Sequence, residues 1–243
     1  MIRRAVAVNS QVMPRVLIIN PNSSNACTAG IDAAVAPFRR PGGPALDVID
    51  LADGPAAILS WHDWHAVVEP LCRRVEREPA DLYVVACASD PGIEAVRAVT
   101  SRPVLGVFRC AVAAATARAE RFGVIAIVEA SKGRHMAALR SMGLESRLAA
   151  EVAMNVSMDT LLDPVAARAG LVRAAQDCVA AGAGAVVLGC TGMAGHRAAI
   201  EAACGVPVIE PCQAAAAMAV LALLDSAPGL VTVAHASPRQ ARA

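Results

Sequence analysis

From Arg15 onward, short runs of aliphatic and β-branched residues alternate with longer Ala-rich stretches whose apolar positions recur at helical spacing. The short runs predict strands at about 15–20, 45–51, 81–87, 103–107, 122–128, 148–153, 184–190 and 206–209. The longer stretches predict helices near 24–36, 62–78, 91–101, 110–120, 131–142, 164–181, 195–204 and 212–225. Strict alternation of strand and helix is the pattern of a parallel sheet with helical crossovers, so the expected class is α/β. Asp163-Pro164 places an N-cap acid before a proline suited to a first helical position, and Gly182 and Gly184 supply a helix stop.

The pattern occurs twice. Arg15-Val16-Leu17-Ile18-Ile19-Asn20 and Arg121-Phe122-Gly123-Val124-Ile125-Ala126 each lead into a Ser-containing turn and a helix. Val16 and Val124 lie 108 positions apart; Cys87 and Cys190 lie 103 apart. Each of these cysteines closes an apolar run, with a Gly five positions later (Gly92 and Gly195) and an X-Pro-Val step beyond a helix-length gap (Arg102-Pro103-Val104 and Val206-Pro207-Val208). The expectation is two pseudo-symmetric lobes, each a mostly parallel sheet flanked by helices. Residues 14–107 plus 212–225 would form the first, 108–211 the second, with 1–13 and 226–243 as loose termini. Ligands of open parallel sheets bind beyond the carboxyl ends of the strands, where both cysteines fall, so the cleft between the lobes is the expected site.

Composition narrows the chemistry. The chain is 56% hydrophobic but only 2% aromatic, so its cores must be built from Ala, Val, Leu and Ile. A formal charge of +1 leaves no electrostatic footprint for nucleic acid or an anionic membrane, and no apolar run reaches the length of a membrane span. The expected partner is a small-molecule substrate, and the expected compartment is the cytoplasm, where the eight cysteines would stay reduced. They form no C-x-x-C pair and no structural-zinc spacing. The sole lysine, Lys132, sits in no phosphate-cradling motif, which argues against a pyridoxal-phosphate enzyme.

Cys87 and Cys190 are the candidate catalytic residues. Two thiols facing one carbon suit proton removal from one face and delivery to the other, one sulfur ionised and one protonated at a time. A thiol beside a helix start has a lowered pKa, which would favour the thiolate. The enolate so formed needs donors, and the turns Ala88-Ser89 and Thr191-Gly192 offer backbone N–H groups and hydroxyls. Asn20 and Asn22, in the turn Asn20-Pro21-Asn22-Ser23-Ser24, are expected substrate contacts on the same edge. Arg109, just after a strand, is a candidate carboxylate ligand; Glu129, also just after a strand, is a further candidate contact, and His196, six residues after Cys190 at a helix start, could act as an acid/base group or be merely exposed. Trp61-His62-Asp63-Trp64-His65 stands out in an aromatic-poor chain and reads as a Trp pair with solvated histidines, since no third metal ligand has convincing spacing.

Together these motifs resemble the cofactor-independent Asp/Glu/hydantoin racemases, most of all the hydantoin and allantoin racemase branch. The resemblance rests on Ile19-Asn20-Pro21-Asn22-Ser23-Ser24, Gly54-Pro55, Ala86-Cys87-Ala88-Ser89-Asp90-Pro91-Gly92 and Leu188-Gly189-Cys190-Thr191-Gly192-Met193-Ala194, and spans about residues 15–225. It implies two lobes holding a substrate between paired cysteines, with no metal or organic cofactor, in a homo-oligomer. By position, Cys87 and Cys190 would be the acid/base pair, and Asn20 with the turns after each Cys would hold substrate oxygens. Gly106-Val107-Phe108-Arg109-Cys110, Val128-Glu129-Ala130-Ser131 and Ala88 depart from the branch's usual pattern at positions that bear on specificity, and an Arg at the cleft edge would suit an acidic substrate. The expected activity is racemisation or epimerisation of a hydantoin-like or amino-acid substrate. Maleate isomerase-like or arylmalonate decarboxylase-like chemistry, or a non-catalytic small-molecule-binding role, are the alternatives on the same scaffold.

Overall fold

The computed structural model describes residues 13–163 and 165–225. The expected termini 1–12 and 226–243, and Pro164 of the expected helix start, lie outside the described residues. Eight strands form two four-stranded sheets in which every pairing is parallel. The first has the order β2 (Ala45–Asp50), β1 (Arg15–Asn20), β3 (Leu82–Val85), β4 (Val104–Gly106). The second repeats it with β6 (Leu148–Ala153), β5 (Phe122–Ala126), β7 (Ala185–Leu188), β8 (Val208–Ile209). All eight expected strands are present.

Helices cover both faces of each sheet, which is why the central strands are continuous apolar runs. Alternate residues of β1 serve opposite cores. Val16 and Ile18 pack with Ile31 and Val35 of α1 (Asn25–Val35) and with Cys212, Ala215, Ala216 and Ala219 of α10 (Pro211–Asp225). Leu17 and Ile19 pack with Leu71 and Val75 of α3 (Val68–Arg77) and Ile93 and Val96 of α4 (Ile93–Ala98). In the second sheet, Ile125, Val186 and Leu188 meet Leu171, Ala175 and Cys178 of α8 (Arg168–Ala180). Val124 and Val187 meet Ala138 and Leu139 of α6 (Glu129–Met142). Helix α5 (Val107–Thr116) joins the halves: Val107 and Cys110 enter the first core, while Phe108, Ala111, Val112 and Ala115 enter the second. Small Ala side chains allow this close double-sided packing.

The expected helix at 62–78 is two helices, α2 (Trp61–Ala66) and α3, hinged at Val67. Pro70 explains the break, because it lacks the N–H that would continue the ladder back to Ala66. A short α7 (Met158–Leu162), capped by Ser157 accepting from the Thr160 N–H, has no counterpart in the expected elements. The helix expected from 164 begins only at Arg168; ahead of it the Asp163 carboxylate accepts from the N–H groups of Val165 and Ala166 at 2.8 and 3.1 Å. Among the described residues no helix is long and apolar enough to cross a membrane.

Candidate active site

The two cysteines occupy equivalent places. Each lies two residues beyond its strand, β3 or β7. The residue before each donates its N–H to the central strand, Ala86 to the Ile19 carbonyl and Gly189 to the Ile125 carbonyl, both at 2.8 Å. Each Cys carbonyl then accepts from the third residue on, Asp90 at 2.9 Å and Met193 at 3.1 Å. These matching bonds carry both thiols out of the carboxyl edges of the two sheets and into one pocket. Asn22, Ala88, Ser89 and Thr191 line that pocket beside Cys87 and Cys190. Its cavity volume is about 40 Å³.

The turns after the cysteines differ. The first passes through Asp90 in the left-handed region (φ 47°) and Gly92 (φ 62°). The strained Asp90 is buried, and its carboxylate accepts from the N–H groups of Phe108 and Arg109, both at 2.9 Å, capping α5. Gly106 permits this approach, since a Cβ there would fall 2.3–2.6 Å from the Asp90 carboxyl group. Trp64 Nε1 also ties the turn down by donating to the Ser89 carbonyl at 3.1 Å. The second turn is a 3₁₀ helix over Thr191–His196, and Gly195 has no positive φ.

Three expected contacts fall outside the pocket lining. Asn20 is fully buried: its Oδ1 accepts from the Asn22 N–H at 3.3 Å, and its Nδ2 donates to Asn22 Oδ1 at 2.9 Å and to Thr28 Oγ1 at 3.0 Å. It shapes the turn that presents Asn22. Arg109 does not reach the cleft because its guanidinium is bound by Asp90 (3.2 Å), Glu94 (2.7 Å) and Ser141 (3.2 Å). Gly192 leaves room instead: a Cβ there would stand 3.1 Å from Met158 Cε. His196 is buried against the Leu161 carbonyl at 3.1 Å, and Glu129 pairs with Lys132 at 2.9 Å. Trp61, Trp64 and His65 form an aromatic cluster with ring centroids 4.9–5.9 Å apart. Among the described residues no group of three or more His, Cys, Asp or Glu could hold a metal ion.

Other lining residues were not expected. Ser131, Arg134 and His135 present one face of α6 at i, i+3 and i+4; Ile58, Leu59, Ile127 and Met158 supply apolar walls. His135 Nδ1 lies 2.5 Å from Glu151 Oε1, and the imidazole stacks on Phe108. Arg134 donates to the carbonyls of Leu59 (3.2 Å) and Ala130 (3.1 Å) and to Ser131 Oγ (3.1 Å).

The electrostatics correct the expected thiol acidity. Cys87 does not stand at a helix start, since α4 begins at Ile93. Burial raises its pKa, opposed by hydrogen bonding to the Ser89 hydroxyl and N–H and by the Arg134 charge. Burial likewise pushes Cys190 up to about 12, opposed by the Gly192 N–H and reinforced by the neighbouring thiols Cys87 and Cys27. At both sulfurs desolvation is the largest influence.

Comparison with known proteins agrees with this architecture. The model of the family described as Asp/Glu/Hydantoin racemase matches residues 16–219. The chain is 36% identical over 214 residues to a hydantoin racemase of Paenarthrobacter aurescens, covering 84% of this chain and 89% of that one. It is 32% identical over 203 residues to a hydantoin racemase of Pseudomonas sp. (strain NS671), covering 81% and 80%. An allantoin racemase from Klebsiella pneumoniae superposes with a TM-score of 0.79 at 28% identity, covering 88% of each chain. With its repeated parallel sheets and a cysteine at the same edge of each, this chain belongs to the Asp/Glu/hydantoin racemase family.

Proposed function

We propose that the protein is a cofactor-independent racemase or epimerase of a hydantoin-like or amino-acid substrate, moving a proton between Cys87 and Cys190. The observation that carries this reading is that both thiols line the same small pocket between the two sheets. In the forward direction the thiolate of one Cys takes the proton on the stereocentre, and the electron pair moves onto the adjacent carbonyl oxygen. The thiol of the other Cys then protonates the opposite face. Roles reverse for the other enantiomer, and no covalent intermediate forms. Asn22, Ser89 and Thr191 are the polar groups placed to hold substrate oxygens. Ile58, Leu59, Ile127 and Met158 would meet the substituent on the stereocentre. Family membership and relatives named for hydantoin and allantoin racemisation support a ring-amide substrate.

The same reading divides the chain into lobes of 14–107 plus 212–225 and 108–211, supported by the packing of α10 in the first core and of Phe108, Ala111, Val112 and Ala115 of α5 in the second. A cavity of about 40 Å³ holds on the order of three waters, so a five-membered ring enters only if lining residues move. The segment carrying Ala57, Ile58 and Leu59 has no regular structure and is the natural part to yield.

The test is to incubate single enantiomers of 5-substituted hydantoins, allantoin and acidic amino acids in deuterated water. Decay of optical rotation with matching incorporation of α-deuterium is expected for at least one ring-amide substrate. Binding of these compounds without any exchange would contradict the reading.

A further inference from the structure

Arg134 is the one buried group in the pocket whose charge has no counterpart. It is 3% exposed, and among the described residues it enters no ion pair. Its three hydrogen bonds all go to neutral oxygens, and its Nε is the single buried side-chain nitrogen or oxygen found without a partner among the described residues. A buried cation held only by neutral acceptors is costly unless an anion shares its surroundings. Its carboxylate neighbours are already committed: Asp63 closes the capping box with Ser60, and Glu151 binds His135. What remains is the sulfur of Cys87, which lines the same pocket as Arg134 and whose pKa the guanidinium lowers.

We infer that Arg134 is the counter-ion for the site's one negative charge, making Cys87 the sulfur that ionises first and Cys190 the one that holds its proton longer. The inference depends on the two-thiol reading above and deepens it. The charge balance is simple. Cys87 S⁻ takes the proton and becomes S–H while the substrate becomes an enolate. Cys190 S–H then gives its proton to the opposite face and becomes S⁻. One negative charge is present at every stage, on sulfur, then oxygen, then sulfur, and one unpaired guanidinium stands beside the route.

The other groups around the pair do not reverse this ordering. Cys87 faces Ser89 and Asp90 on its own turn, Cys190 across the pocket and Cys212 of α10; Asp90, paired with Arg109, pushes its pKa up less than Arg134 pulls it down. Cys190 faces Cys87, Cys27 of α1 and Cys212, with the Gly192 N–H as its only opposing influence and no cation. His135, engaged by Glu151, lines the same pocket. The enantiomer whose proton faces Cys87 therefore meets the thiolate that forms more readily, while its mirror image needs the charge to sit on the less acidic Cys190.

The experiment is the rate of iodoacetamide alkylation at each cysteine against pH, read by peptide mass spectrometry on the full-length folded protein. In the wild type the Cys87 midpoint is expected below that of Cys190. Arg134→Gln should slow Cys87 alkylation at pH 7.5 at least about tenfold, equivalent to about one pH unit in its midpoint. Cys190 should change less than about threefold, and Arg134→Lys should keep the Cys87 rate near wild type, since a buried point charge supplies most of the effect. A Cys87 midpoint unmoved in Arg134→Gln overturns the assignment. So does a Cys190 midpoint below that of Cys87 in the wild type, which decides the matter even if the Gln variant does not fold. None of these readouts needs turnover. Deuterium exchange with the wrong midpoint order refutes the role of Arg134 alone, whereas absence of exchange on every substrate refutes the racemase reading itself.

Discussion

The turns that follow Cys87 and Cys190 begin alike and end differently, and the difference marks where duplication gives way to chemistry. Up to the cysteine, both are governed by sheet hydrogen bonds, and the same bonds recur at the same positions. Past it, the first turn is strained and anchored from outside: Asp90 at φ 47° caps α5, and Trp64 holds the Ser89 carbonyl. The second is a 3₁₀ helix buried at Thr191, Met193 and His196, with no charged side chain on its sulfur. A strand end can be copied because its geometry is set by the sheet. The field around each thiol cannot, because it comes from elements that do not correspond. In a two-base mechanism such inequality is expected, since one sulfur must hold a proton while the other does not.

Predictions that separate the two half-sites follow from this contrast. Cys87→Ala and Cys190→Ala should each lower racemisation by about 10²–10⁴-fold, the usual range for losing a general acid or base; polarimetry on both enantiomers checks this, and retained racemisation in either variant breaks the pairing. Gly106→Ala and Gly189→Ala should each destabilise the protein by about 1–3 kcal/mol through overpacking. The first pushes a methyl onto the Asp90 carboxyl group and the second places one 2.6 Å from the Ile125 carbonyl oxygen. Gly195→Ala, with nothing within 4 Å of the new methyl, should be close to neutral, and urea denaturation of the three variants tests the ordering.

Stability should also fall at alkaline pH. The folded-state pKa of Cys110 and Cys190 is about 12 and that of Cys178 about 11, all raised by burial. Above roughly pH 9 the unfolded chain releases these protons while the folded chain keeps them, so the stabilisation present below that pH is progressively lost, by about 1.4 kcal/mol per thiol per pH unit. Denaturant titrations at pH 8 and 10.5 should show the loss, and Cys178→Ala should reduce its slope. Trp64→Phe removes one bond to the Ser89 carbonyl and should cost about 0.5–1.5 kcal/mol. Equal effects on the alkylation of both cysteines in that variant would contradict a tether confined to the first turn.

The strands and the cysteine pair were legible because both are local. An apolar run bounded by turn residues fixes a strand, and a Cys at its end inherits the edge on which it sits. Side-chain destinations beyond those edges were not legible. Arg109 follows β4 three residues on, yet Asp90 and Glu94 from the turn and start of α4, and Ser141 from the distant α6, take its guanidinium. Arg134 carries no signal of its role in sequence, because nothing marks a helix that buries Ser131, Arg134 and His135 on one side; an apolar period is visible in sequence, a polar pocket face is not. The thiol pKa values went the other way from the helix-end expectation because burial depends on packing from both lobes, which no local motif reveals. The break at Val67 was readable in principle from Pro70.

The central claim is that each sulfur serves one face of the stereocentre. It is tested most directly by measuring α-deuterium exchange of each pure enantiomer in deuterated water with Cys87→Ala and Cys190→Ala side by side. The account predicts that each variant exchanges one enantiomer with retention, that the two variants choose opposite enantiomers, and that neither inverts configuration. Exchange of the same enantiomer by both variants, or inversion by either one, would contradict it.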